Sequence, residues 1–260
     1  MKNRYIVIAL LVTMLASASG CKDFLDQQPL SAGTESVVYK TSEQFKQAAN
    51  AFYDDVIAWR DYSNNPSYYL MDQGTDISGL NTNGGVIAGQ TDANWDVPYS
   101  SIRQYNTLIS KADDFTGNKE DIKQYVAVAR FFRAWQYFFL VKRFGGVPII
   151  TKVLDVDAAE LLAPQNSRYE VIAQVIDDLN AAIPDLPKET AIAAADKGQI
   201  SKEAAMALLA RVALYEATWE KYVTTAAVGL DLDGDGTTSG AGKAKPANYP
   251  SIMDLFTLAK

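Results

Sequence analysis

The chain has 260 residues, no histidine and one cysteine, Cys21. Without histidine, this portion can assemble no Ser-His-Asp or Cys-His nucleophile system and no His-based metal site, and it lacks the commonest general base. A lone cysteine forms neither an intrachain disulfide nor a thiolate zinc cluster. Positive charge is also in deficit, with 24 Lys and Arg against 31 Asp and Glu and a formal charge of -7. An acidic surface repels phosphate backbones, so nucleic acid is not an expected partner. The apolar run Tyr5–Ala16 is too short to span a bilayer comfortably.

What is present begins with a secretory leader. Residues 1–20 combine a basic start (Lys2, Arg4), the apolar Tyr5–Ala16 run and a small-residue zone from Ser17 to Gly20. Losing Lys2 and Arg4 with the leader leaves 22 basic against 31 acidic residues, or -9. Cys21 directly after Ala-Ser-Gly looks like a bacterial lipobox, in which the thiol is acylated and becomes the new N-terminus; Ala18 stands where leucine is commoner. An ordinary cleavage site followed by an incidental cysteine is the alternative. Several acyl chains on Cys21 would anchor the chain durably, since each buried methylene contributes about 0.8 kcal/mol. Residues 21–40 then form a lipidated tether, and residues 41–260 the folded part. With 48% hydrophobic residues, that part can bury a sizeable core.

The folded part reads as mainly all-α. Thr41-Ser-Glu-Gln44 is a capping box, and Phe45, Ala48, Ala49, Phe52, Val56 and Trp59 give the following helix one apolar face, ending near Arg60. From Asp61 to Asp96 no period persists; Asn, Gly, Ser and Asp cluster around Tyr62, Tyr68, Tyr69 and Trp95. A loop of this length is uncommon in a compact domain unless it binds something. Pro98 suits the first position of a second helix, with Tyr99, Ile102, Tyr105, Ile109 and Ala112 inward and Thr116-Gly117 as its break. Asn118–Phe144 reads as one helix of about 40 Å, capped by Asn118 and stopped by Gly145-Gly146. Apolar residues cover most of its circumference, so it is buried on more than one side. Ile149–Pro164 is extended or irregular. Ser167 to Glu170 is another capping box, opening a helix with Ile172, Val175, Ile176, Leu179 and Ile183 inward. Ser201 starts a fourth long helix with Ala204, Ala205, Leu208, Leu209, Val212, Tyr215 and Trp219 as its stripe. The pattern is a helical hairpin, a crossover and a second hairpin, a weak tetratricopeptide-like repetition in which Ala129-Arg130 and Ala210-Arg211 hold similar places. A helix at Met253 would open a third pair.

The run Ala129–Ile149, ARFFRAWQYFFLVKRFGGVPI, resembles the signature helix and turn of the RagB/SusD family of outer-membrane nutrient-binding lipoproteins. The opening Cys21, Phe24, Leu25, Asp26 and Pro29 resembles that family's C-x-x-F-L-D-x-x-P start, and Lys22-Asp23 its charged export tether. The resemblance extends from Cys21 to Lys260. Because family members are longer and this chain stops as a helix begins, it is expected to be an N-terminal portion. The resemblance implies a scaffold of four tetratricopeptide-like pairs carrying variable ligand loops, and a location at the outer membrane, lipid-anchored and surface-exposed. It also implies capture of an oligosaccharide and its delivery to a TonB-dependent transporter, without catalysis.

Candidate site residues follow from sugar chemistry. Trp and Tyr rings stack on the C–H faces of sugars, and Asp and Asn bind hydroxyl pairs. Trp95, Asp72, Asp76 and Asn81 are therefore the glycan-binding candidates; for Trp95 the competing reading is a plug in the scaffold. Asp231, Asp233 and Asp235 match the first half of a calcium loop, D-x-D-x-D-G, but Gly242 stands where an EF-hand needs glutamate. A solvated turn accounts for the run better, a Ca²⁺ loop of another type is the alternative, and no cofactor is expected otherwise. Arg130 and Arg133, three apart on an apolar helix, are read as partners of a buried carboxylate rather than an anion site. Peptide capture within the same family, a glycoside hydrolase lipoprotein and a tetratricopeptide adaptor are the competing functions. The hydrolase needs two opposed carboxylates at a fixed separation.

Overall fold

A computed structural model describes residues 38–55, 92–222 and 245–260. Asp72, Asp76, Asn81, Asp231, Asp233, Asp235 and Cys21 lie outside the described residues, as do Val56 and Trp59. Among the described residues, besides short 3-10 turns, lie six α-helices: α1 (Ser42–Ala51), α2 (Ala93–Asp113), α3 (Lys123–Phe144), α4 (Arg168–Ala182), α5 (Lys202–Tyr222) and α6 (Ile252–Leu258). Among the described residues there is no strand. The expected mainly all-α architecture is thus present among the described residues, and residues Tyr39–Lys260 make one compact unit.

Local chemistry sets most helix starts. Thr41 and Gln44 form the expected capping box at α1, Ser167 and Glu170 form one at α4, and Ser251 with Asp254 forms a third at α6. At α5, the Ser201 hydroxyl accepts from the Ala204 N–H. Two expected starts are corrected. Pro98 is not the first residue of α2 but its sixth, because Asp92 caps the helix further upstream and accepts the Asn94 N–H at 2.9 Å. Proline deprives the Asn94 carbonyl of its i+4 donor, a small loss at a half-exposed helix end. Asn118 caps a separate 3-10 turn, Lys119–Asp121, and α3 begins only at Lys123 with no side-chain cap. The long helix is therefore 22 residues, about 33 Å.

Helix α3 is the inner element. Ala127, Val128, Ala129, Phe131, Phe132, Ala134, Tyr137, Phe138, Leu140 and Val141 are all buried, which is the all-round coverage its composition requires. It packs against α2 on one side, most extensively against α4 on another, and against α1. The second expected hairpin is the weaker pairing: α4 leans on α3 across the crossover more than on its sequence neighbour α5, which packs mainly with α6. The helix stops where Gly145 takes φ 75°, a left-handed backbone open to glycine. At the α2–α3 turn, a side chain on Gly117 would collide with the Phe115 ring, which itself meets Phe45 of α1 edge-on at 5.3 Å.

The crossover after α3 is irregular, as expected, yet closely held. Side chains of α2 and α3 donate to its carbonyls: Tyr99 to Pro148 at 2.7 Å, Arg103 to Leu154 at 2.5 Å and Asn106 to Ile150 at 2.9 Å. The Tyr137 hydroxyl both donates to the Ile150 carbonyl and accepts its N–H. Burial pushes that phenol up to about 12, so it stays a donor throughout the physiological range. Asn166 ties the two ends of the crossover, bonding Ile149 and Val147.

Two buried ion pairs fix the helix stack. The Arg133 guanidinium bridges Asp178 of α4 through Nε at 2.8 Å and Nη2 at 2.5 Å, and donates Nη1 to Asn106 of α2 at 2.7 Å. Arg130 reaches the same carboxylate at 3.5 Å, so the expected carboxylate partner of the two arginines is Asp178. Arg168 of α4 binds Glu216 of α5 at 2.5 Å and lies over the Trp219 ring, 4.1 Å from its centroid. Glu216 also accepts from the Tyr249 hydroxyl at 2.9 Å, which joins the 245–250 segment to the stack.

Candidate functional site

The residues that suit ligand chemistry gather where α2 begins and α3 passes its midpoint. Because α2 starts at Ala93, Trp95 belongs to its first turn rather than to a loop. Its ring is half-buried, 5.0 Å from Tyr99 and 5.2 Å edge-on from Phe144. Trp95 thus closes the end of the α2–α3 pair while keeping part of its surface exposed. Beside it, the Asp92 carboxyl is held below its ordinary range by the Asn94 backbone N–H, then the Asn94 amide, with a smaller contribution from the Arg143 charge.

The opposite face of α2 opens on a cleft of about 440 Å³ between Val97 and Pro98 of α2, Trp135 and Phe139 of α3, and Asp54 and Asp55 after α1. Sequence reasoning missed this cleft. The apolar coverage of α3 implies burial on more than one side, yet Trp135 and Phe139 are only half-buried. Their spacing of one helical turn was the available signal, since residues four apart share a face. Trp135 lies nearly parallel to Phe131, at 26° and 6.4 Å, so its orientation is set by the core beneath. Asp55 is fixed too: one oxygen accepts from Ser101 at 3.1 Å and the other from the Tyr105 hydroxyl. Burial, and next the Asp55 bond, push the Tyr105 phenol far above its ordinary value. Asp54 is exposed.

Chemically the cleft offers aromatic faces, an exposed carboxylate, and the amides of Asn94 and Gln136. Among its described lining residues there is no Lys or Arg. Among the described residues no cluster of three or more His, Cys, Asp or Glu is placed to hold a metal ion, and no helix is long and apolar enough to cross a membrane.

The chain has known relatives. Residues 23–214 match the SusD-like family model described as "Starch-binding associating with outer membrane". The chain belongs to the SusD-like family. A SusD-like protein of Bacteroides ovatus is 26% identical over 240 residues, covering 84% of this chain and 40% of that protein. SusD-like protein P2 of Formosa agariphila is 27% identical over 236 residues, covering 85% and 44%. The chain therefore spans less than half the length of these curated relatives. The fold resembles the crystal structure of a SusD-like carbohydrate-binding protein from Bacteroides fragilis, with a TM-score of 0.58 and 25% identity over 70% of this chain and 39% of that one. A SusD-like carbohydrate-binding protein from Bacteroides vulgatus gives 0.51 and 26% over 72% and 44%.

Proposed function

We propose that this protein captures oligosaccharide at the outer membrane and passes it, uncut, to a TonB-dependent transporter. The observation that carries the reading is the family match over residues 23–214, whose description joins starch binding to outer-membrane association. Two relatives of similar fold are described as carbohydrate-binding. In this reading Cys21 is acylated and tethers the chain, while Trp95 with Asp72, Asp76 and Asn81 contributes to glycan contact. The helix stack carries Trp95, and the ligand is released unchanged.

Capture also fits the carboxylates better than hydrolysis does. A glycosidase pair must face each other across the scissile bond, one of them as a proton donor. Asp54 and Asp55 are consecutive, and both Asp55 oxygens accept from Ser101 and Tyr105. The test has four readouts: binding of the acylated protein to a glycan array, reducing ends released from bound glycans, co-purification of a transporter from outer membranes, and attachment of labelled fatty acid at Cys21. Glycan retention without new reducing ends, together with a co-purified β-barrel transporter, is the expected result. New reducing ends would replace capture by hydrolysis. Labelled fatty acid that failed to attach at Cys21 would remove the anchor.

A further inference from the structure

The α2–α3 cleft has a charge character that the family match does not supply. Its floor is Trp135 and Phe139, and its mouth is Val97, 55% exposed. At about 440 Å³ it falls inside the range of about 300–1,000 Å³ typical of small-molecule sites. Trp135, backed by Phe131, presents a fixed ring face for C–H stacking. Asp55 is held by Ser101 and Tyr105, while Asp54 is exposed at the rim and able to accept hydroxyl protons. The charged groups among the described lining residues are these two carboxylates alone. A ring bearing a carboxylate or sulfate would meet like charge there, with no cation among the described lining residues to offset it.

We propose that this cleft is a subsite for one neutral sugar ring of an oligosaccharide, stacked on Trp135 and Phe139, and that Asp54 and Asp55 make it discriminate against uronate and sulfated rings. The inference rests on the glycan-capture reading and adds to it a place and a substrate class. The place is separate from Trp95, which turns to Tyr99 and Phe144 on another face of α2.

The test titrates the full chain with neutral oligosaccharides of starch, β-glucan, xylan and mannan, with oligogalacturonate and sulfated oligosaccharide, and with an oligolysine peptide. For the tightest neutral ligand, Trp135→Ala and Val97→Arg each weaken binding about tenfold or more, the loss expected of an anchor contact. Asp54→Lys raises affinity for oligogalacturonate relative to the wild type. Val97→Arg alters an exposed side chain, so it keeps the test valid if Trp135→Ala fails to fold. Neutral-glycan binding that both variants leave unchanged would overturn the subsite and leave the capture reading standing. No glycan bound by the wild type, or oligolysine bound alone, would overturn both. A wild-type preference for oligogalacturonate over every neutral ligand would overturn the discrimination.

Discussion

The two sides of α3 have similar apolar content and opposite fates. Toward the other helices and the crossover, Phe132, Ala129, Tyr137 and Arg133 are fully or almost fully covered, and the guanidinium is met by Asp178 and Asn106. Toward the cleft, Trp135 and Phe139 keep exposed ring surface between them and Val97. Apolar surface that the chain covers becomes stability; apolar surface left at a cleft with polar neighbours is available to a ligand. Substitutions on the first side should therefore change folding, and those on the second should change binding.

The largest effect is expected from Asp178→Ala. Removing the carboxylate leaves Arg133 buried without its counter-charge, which should cost about 3–5 kcal/mol in denaturant unfolding. Glycan affinity of the folded fraction should not change; a coupled loss of affinity would erase the division between the two sides. Trp135→Ala should invert that pattern, reducing stability by under about 2 kcal/mol because the ring is only half-buried, while weakening glycan binding.

Glu216 sharpens the comparison through pH. Burial, opposed by Arg168 and Tyr249, pushes its carboxyl above the ordinary 4.5. The folded chain then holds this proton more tightly than the unfolded chain does. Its contribution to stability is complete below the ordinary carboxylate range and is lost as pH rises through the raised value. The stability of the wild type relative to Glu216→Gln should accordingly fall with rising pH across that window, measured by urea unfolding. A flat difference would show that Arg168 fully offsets the desolvation. The smallest effect is expected from Ser167→Ala, which removes the hydroxyl that accepts the Glu170 N–H at 3.2 Å and should cost about 1 kcal/mol without touching affinity.

These contrasts also explain what the sequence made legible. Capping boxes at Thr41 and Ser167 are contained within four residues, so they could be read directly. Pro98 misled because its fitness for a first turn is a local preference, and the Asp92 cap upstream prevailed. Asn118 is a cap, as its side chain suggests, but the turn it caps is 3-10 and Ile122 separates it from α3. That Arg133 needs a carboxylate follows from burying a charge; that the carboxylate is Asp178, 45 residues away, follows only from how α3 and α4 pack. The cleft was hidden for the same reason. Its lining comes from residues 54–55, 93–98 and 135–139, and no single segment carries its signature.

The most direct test of capture without cutting is a calorimetric titration of the full chain with neutral oligosaccharides, followed by a reducing-end assay on the same sample. The account predicts saturable binding and an unchanged reducing-end count. Absence of binding heat across the panel, or reducing ends that rise with time, would contradict it.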